Sequence, residues 1–168
     1  MTKYGLVLAV VAAALLSPTT LCAQDIGLPL GAQAPAVTVD DLDGKPVDLG
    51  QYVGKGPVLL EFWATWCPVC AALEPAMKDA HARYGATVRF FAIGVAVNES
   101  PASIRRHLAS HPLPFPVLYD ATGAAVRAFE APTTSYVVVL DRTGKVSYTG
   151  TGEDQDLAAA LRQVAAAP

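Results

Sequence analysis

The 168-residue chain is poor in sulfur, with three cysteines, Cys22, Cys67 and Cys70, and two methionines, Met1 and Met77. So few thiols exclude a disulfide-stapled scaffold. A zinc ribbon or finger needs two further soft ligands at matching spacing, and no such pair stands elsewhere in the sequence. Long apolar runs are also missing: Gly5 to Leu16, at 12 residues, is too short to span a bilayer comfortably. Charge of either sign is never concentrated. Twelve Lys and Arg against fifteen Asp and Glu give −3 with no basic patch for nucleic acid or a membrane surface, which leaves protein as the expected partner. Nothing resembling a repeat or low-complexity linker divides the chain, and its length suits one domain with a real core.

Lys3, the short apolar run and Ser17-Pro18-Thr-Thr-Leu21-Cys22-Ala23 together have the three regions of a secretory signal. Cleavage after Ala23 is expected, making 1–23 a leader and 24–168 the domain, although Leu21 is bulkier than the residue usual three back from the cut. Losing Lys3 moves the charge from −3 to −4. Two other readings are an acylated Cys22, disfavoured by the lack of a small residue before it, and a retained anchor. After cleavage only Cys67 and Cys70 remain, a count that fits an exported redox catalyst.

Those two cysteines end the stretch Glu61-Phe-Trp-Ala-Thr-Trp-Cys67-Pro-Val-Cys70. Thiol-disulfide exchange needs one thiolate to attack and a second thiol close enough to expel the partner, and a two-residue spacer supplies that proximity. The apolar run Pro57 to Trp63 reads as a strand buried on both faces, as in a parallel sheet. A helix-like run follows from Pro68 to about Tyr84, with proline tolerated in its first turn. Cys67 then sits at a helix start, where free N–H groups and the macrodipole stabilise a thiolate. Cys70, one turn further in, is the shielded resolving thiol. Glu61 lies inside the buried run, where an acid is costly unless used; burial raises its pKa and suits it to trade protons near neutrality. The alternative is a carboxylate bent to water at a strand edge.

Phe62 to Cys70 resembles the active site of thioredoxin-fold proteins, specifically the secreted TlpA/ResA/CcmG group within the AhpC/TSA-redoxin superfamily. Ala131-Pro132-Thr-Thr before an apolar strand and Asp141-Arg-Thr-Gly-Lys145 is a second match. A third is Gly31-Ala-Gln-Ala-Pro35 with Asp41-Leu-Asp-Gly-Lys45 and Val47-Asp-Leu49, similar to the N-terminal hairpin of that group and of peroxiredoxins. The resemblance implies an α/β thioredoxin-like fold: a central mixed sheet flanked by helices, with an extra N-terminal β-hairpin and a central insert. It further implies a cis Pro132 facing the cysteines, with the Ala131 backbone pairing with the substrate chain and Trp66 beside the sulfurs shaping the docking surface. Thioredoxins carry a buried Asp at the position of Glu61, which moves the proton of the resolving cysteine. Relatives commonly place a glutamate three residues after the second cysteine; here that residue is Leu73 and the acid is Glu74, about 100° further round the helix. Glu74 is therefore read as a surface partner of Lys78.

Elsewhere, Gln24 to Leu30 lacks periodicity and reads as an unstructured leader. Ala36 to Val39 alternates, and Asp43-Gly44 signals a hairpin turn answered by Val47 to Leu49. Val88 to Val97 reads as a strand, Ser100-Pro101 as the cap of a helix to about Ser110, and Phe115 to Tyr119 as a short strand. A short helix including Val126 and Phe129 follows, then a strand from Ser135 to Leu140, an antiparallel return over Lys145 to Thr149, and a helix from Asp154 to Ala166. His81 is expected at the surface, and His107 with His111 lack a third ligand for a metal. The reading is a monomeric periplasmic protein-disulfide reductase of the cytochrome c or copper-site cysteine type. Cys67, Cys70 and Glu61 are catalytic, Trp66, Ala131 and Pro132 bind substrate, and no metal or dissociable cofactor takes part. Its partners are cysteine-containing exported proteins and a membrane thiol-disulfide electron donor. Alternatives are a disulfide oxidase or isomerase, a Cu(I)-binding module on the CxxC, and a peroxiredoxin. The last is disfavoured because Thr65 stands two, not three, residues before Cys67.

Overall fold

The structure, a computed structural model, describes residues 27–166. The expected leader, its cleavage point and Cys22 lie outside them. The described chain begins already packed: Leu28 and Ala32 lie against the core and the Gly31 N–H donates to the Val146 carbonyl at 2.7 Å. The expectation of an unstructured segment up to Leu30 therefore fails from Gly27 onward, because Leu28 finds an apolar surface to bury.

Strands β1 (Thr38–Asp41) and β2 (Pro46–Asp48) form the N-terminal hairpin. Its turn places Gly44 at φ +79, while the Asp41 carboxylate accepts the N–H groups of Asp43 and Lys45. Strand β3 (Val58–Trp63), helix α1 (Pro68–Tyr84) and strand β4 (Arg89–Val95) form the parallel crossover that carries the cysteines. Helix α2 (Pro101–Leu108), strand β5 (Val117–Asp120) and the short helix α3 (Ala124–Ala128) make up the central insert. Strands β6 (Tyr136–Leu140) and β7 (Val146–Gly150) and helix α4 (Leu157–Ala165) complete the chain. The β6–β7 turn repeats the chemistry of the first hairpin: the Asp141 carboxylate accepts from the Thr143 and Lys145 N–H groups. Burial pushes the Asp141 pKa up, but these hydrogen bonds and the Lys145 charge outweigh it and hold the carboxyl below its usual range.

The seven strands form one sheet in the order β2-β1-β5-β4-β3-β6-β7. The sequence reading of β3 as parallel-sheet core is half met, since β3 is parallel to β4 but antiparallel to β6. All six β3 residues are buried because both faces of the sheet are covered. Alternation divides its side chains. Leu60 and Phe62 join Ile93, Val138 and Phe129 on one face; Leu59 meets Leu73 and Met77 of α1 and Leu161 of α4 on the other. Each fully buried aliphatic or aromatic side chain contributes about 1.5–3 kcal/mol relative to exposure. His81 departs from the expected surface position, packing edge-on to Phe90 at 5.2 Å and tilted on Phe115 at 5.5 Å. Helix α1 runs unbroken through Pro75. It is amphipathic in the required sense, with Cys70, Leu73, Met77 and Ala80 all inward.

Candidate active site

Cys67 is the N-cap of α1 and Pro68 its first residue, as the sequence spacing predicts. The two cysteines form a disulfide with Cα atoms 5.3 Å apart. The Cys67 Sγ also accepts the Cys70 N–H at 3.0 Å, so one of the helix's free N–H groups is directed at the sulfur expected to bear negative charge when reduced. Cys67 is 4% exposed and Cys70 1%, packed with Trp63, Ala64 and Ile104. Cys67 is the slightly more accessible of two nearly covered residues.

Glu61 sits on the central strand, between Ala92 of β4 and Val137 of β6, which excludes the strand-edge alternative. Leu59, Glu61 and Trp63 alternate onto one face, and Leu59 and Trp63 pack respectively with α1 and with the cysteines. Glu61 is 2% exposed and its Oε1 has no hydrogen-bond partner among the described residues. Burial, and secondarily the charge of Glu74, push its carboxyl up to about 8. Such a group holds its proton at neutral pH and releases it in the range where a thiol also titrates. Glu74 forms the expected pair with Lys78 at 2.6 Å, yet it also acts on Glu61 through its charge, so it is not merely a surface residue.

Beside the disulfide, Trp66 is 48% exposed and lines a groove of about 310 Å³ with Val97, Val126, Ala131, Pro132 and the two following threonines. The structure thus gathers Trp66, Ala131 and Pro132 from segments distant in sequence. The Trp66 indole N–H donates to the Val97 carbonyl in the β4–α2 loop at 2.8 Å. The Ala131–Pro132 bond is trans, as are all described peptide bonds, which corrects the cis geometry implied by the resemblance. Trans is the lower-energy isomer by about 0.5–1 kcal/mol. On either side Glu130 (φ +50) and Ser135 (φ +64) adopt the left-handed conformation. The Ala131 N–H donates to the Val126 carbonyl at 2.9 Å, so a chain pairing with Ala131 would engage its carbonyl.

One site residue escapes sequence reasoning altogether. Glu99, 8% exposed, accepts the Thr65 N–H on Oε2 at 2.7 Å, and on Oε1 the Ser100 N–H at 3.2 Å and the Ser103 hydroxyl. Burial raises its pKa, but hydrogen bonds from Ser103, Thr65 and Ser100 prevail and hold the carboxyl below its usual range. The Ser100 cap was legible; that the preceding acid reaches back to residue 65 was not. His107 and His111 stack at 4.5 Å, with His107 edge-on to Trp63. Among the described residues no three His, Cys, Asp or Glu side chains gather as metal ligands.

A mixed sheet with βαβ and ββα halves, and a CxxC disulfide capping the first helix of the βαβ half, define a thioredoxin-like thiol-disulfide oxidoreductase. Residues 29–164 match the Redoxin family, and the chain belongs to it. It is 30% identical over 127 residues to the thiol-disulfide oxidoreductase ResA of Bacillus thuringiensis, covering 74% of this chain and 70% of that protein. To the thioredoxin-like protein YneN of Bacillus subtilis it is 32% identical, covering 76% and 74%. A secreted Mycobacterium tuberculosis disulfide oxidoreductase homologous to E. coli DsbE superposes with a TM-score of 0.65 at 25% identity, covering 78% of this chain and 96% of that one. These relatives are named thiol-disulfide or disulfide oxidoreductases and a thioredoxin-like protein. Enzymes of this kind act on cysteine-containing proteins.

Proposed function

We propose that the chain is an exported protein-disulfide reductase, with residues 1–23 as its export signal and 24–168 as its working domain. The Cys67 thiolate attacks one sulfur of a partner disulfide, forming a mixed disulfide and expelling the partner's other sulfur as a thiolate. In the minority of molecules whose Glu61 is ionised at neutral pH, a share that grows toward pH 8, Cys70 gives its proton to Glu61 and attacks Cys67 Sγ. The Cys67–Cys70 disulfide forms and the partner leaves as a dithiol, having gained two electrons. Trp66, Pro132 and the Ala131 carbonyl hold the partner segment. A thiol-disulfide donor at the membrane then returns two electrons, and the reduced partner class is cysteines awaiting haem or copper. The periplasm is the proposed compartment; no described helix is long and apolar enough to cross a membrane.

The observation that carries this reading is the buried Glu61, its Oε1 unpartnered among the described residues, on the strand beneath a CxxC helix cap: burial pushes its carboxyl up to about 8, which suits it to deprotonate a resolving thiol. The direction of exchange is tested by equilibrating the full chain with graded glutathione buffers. A potential at or below about −200 mV supports the reductase; one near about −120 mV makes the protein an oxidant and overturns it.

A further inference from the structure

We propose that Glu99 is a positioning residue for thiol-disulfide exchange: its carboxylate, with the Val97 carbonyl, fixes the Thr65–Cys67 turn against the wall of the docking groove. The proposal rests on the reading that Cys67 is the attacking thiol.

The turn before Cys67 is tied to the β4–α2 loop at two points two residues apart. The Trp66 indole donates to the carbonyl of Val97, and the Thr65 N–H donates to the carboxylate of Glu99. Between those acceptors Asn98 takes the left-handed conformation, φ +51, one of the few residue types that tolerates it. The left-handed kink lies where the loop must present a backbone carbonyl and the next-but-one side chain to the same turn. Glu99 is itself held from behind: the Tyr119 hydroxyl donates to its carbonyl at 3.0 Å, and the Ser100 N–H and Ser103 hydroxyl occupy Oε1. Oε2 is thereby aimed at Thr65.

Helix capping alone does not account for this. The Ser103 N–H is already satisfied by the Ser100 hydroxyl at 3.2 Å, and the Ser103 hydroxyl caps Ser100 N–H in return at 2.9 Å. A complete capping box needs no buried carboxylate beside it. Val97, 59% exposed, meanwhile belongs to the groove wall. Docking surface and nucleophile turn are therefore one hydrogen-bonded unit, and Glu99 joins them.

The test compares wild type, Glu99→Ala and Glu99→Gln with Val164→Ala, a core truncation in α4 remote from the site that controls for lost stability. Glutamine offers one acceptor oxygen and cannot serve both Thr65 and the α2 terminus, so it is expected to fail as alanine does. Losing a charge-assisted hydrogen bond corresponds to a tenfold effect or more. Thr65 amide exchange should quicken about tenfold in both Glu99 variants. Alkylation of reduced Cys67 by iodoacetamide, and turnover of a peptide disulfide, should each slow by about the same factor. Val164→Ala should match wild type in all three. If either Glu99 variant folds and alkylates and turns over like Val164→Ala, Glu99 does not position the nucleophile. If wild type alkylates at Cys67 but turns over no disulfide, the proposed function fails, and the alkylation rates alone decide for or against Glu99.

Discussion

Glu61→Gln isolates the energetic consequence of burying an acid under the cysteines. The folded-state pKa of Glu61 is about 8 against an ordinary value of 4.5, so between those limits the folded protein retains a proton that the unfolded chain has released. Stability from the protonated carboxyl is complete below pH 4.5 and is lost progressively as pH rises toward 8. Each pH unit is worth about 1.4 kcal/mol, which caps the loss at about 5 kcal/mol above pH 8 and about 3 kcal/mol at pH 7. Glutamine preserves the shape without the ionisation, so the variant lacks this slope. Urea unfolding of the oxidised proteins from about pH 4 to about pH 9 should show the variant gaining on wild type steadily with pH. A stability difference that stays flat across that range would refute a buried, protonated Glu61. The same variant should lose catalysis at the resolving step, accumulating the mixed disulfide at neutral pH.

Cys70→Ser should trap partners as mixed disulfides on Cys67, whereas Cys67→Ser should trap none; non-reducing electrophoresis after acid quenching reads both, and trapping by Cys67→Ser alone would reverse the assigned roles. Trp66→Ala removes the half-exposed indole of the groove without touching either sulfur. It should raise KM for a peptide disulfide by about tenfold, since interface aromatics of this kind are worth about 1–2 kcal/mol.

The order of elements was legible because each was locally over-specified. Cys67 precedes a proline and an amphipathic run, and Asp41 and Asp141 each stand three residues before a glycine whose positive φ only the turn explains. Boundaries drifted where proline intervened: β5 begins at Val117, after Pro116, rather than at Phe115. Glu61 was legible from its apolar neighbours, since an acid in an unbroken hydrophobic run requires an account. Glu99 was not, because its meaning depends on a contact 34 residues away and its local context reads only as the approach to a helix cap. The groove was half legible. Trp66 and Pro132 are visible in sequence, but Val97 and Val126 become its walls only when β4 and α3 are brought together.

The three described non-glycine residues with positive φ, Asn98, Glu130 and Ser135, each stand next in sequence to a residue that lines this groove. Such conformations cost about 1–3 kcal/mol each and persist where the surroundings enforce them. Ser135 is enforced on three sides: its N–H donates to the Phe62 carbonyl at 2.7 Å, its hydroxyl accepts from Gly152 and its carbonyl from Gln155. Glu130 is exposed, and its backbone delivers Ala131 and Pro132 to the groove. Glycine adopts that conformation without the steric cost but widens the unfolded ensemble. Glu130→Gly should therefore change stability by less than about 1 kcal/mol while loosening the Ala131–Pro132 wall, raising KM for a peptide disulfide with kcat little changed. A large loss of stability with unaltered KM would show that Glu130 supports the fold rather than the shape of the docking surface.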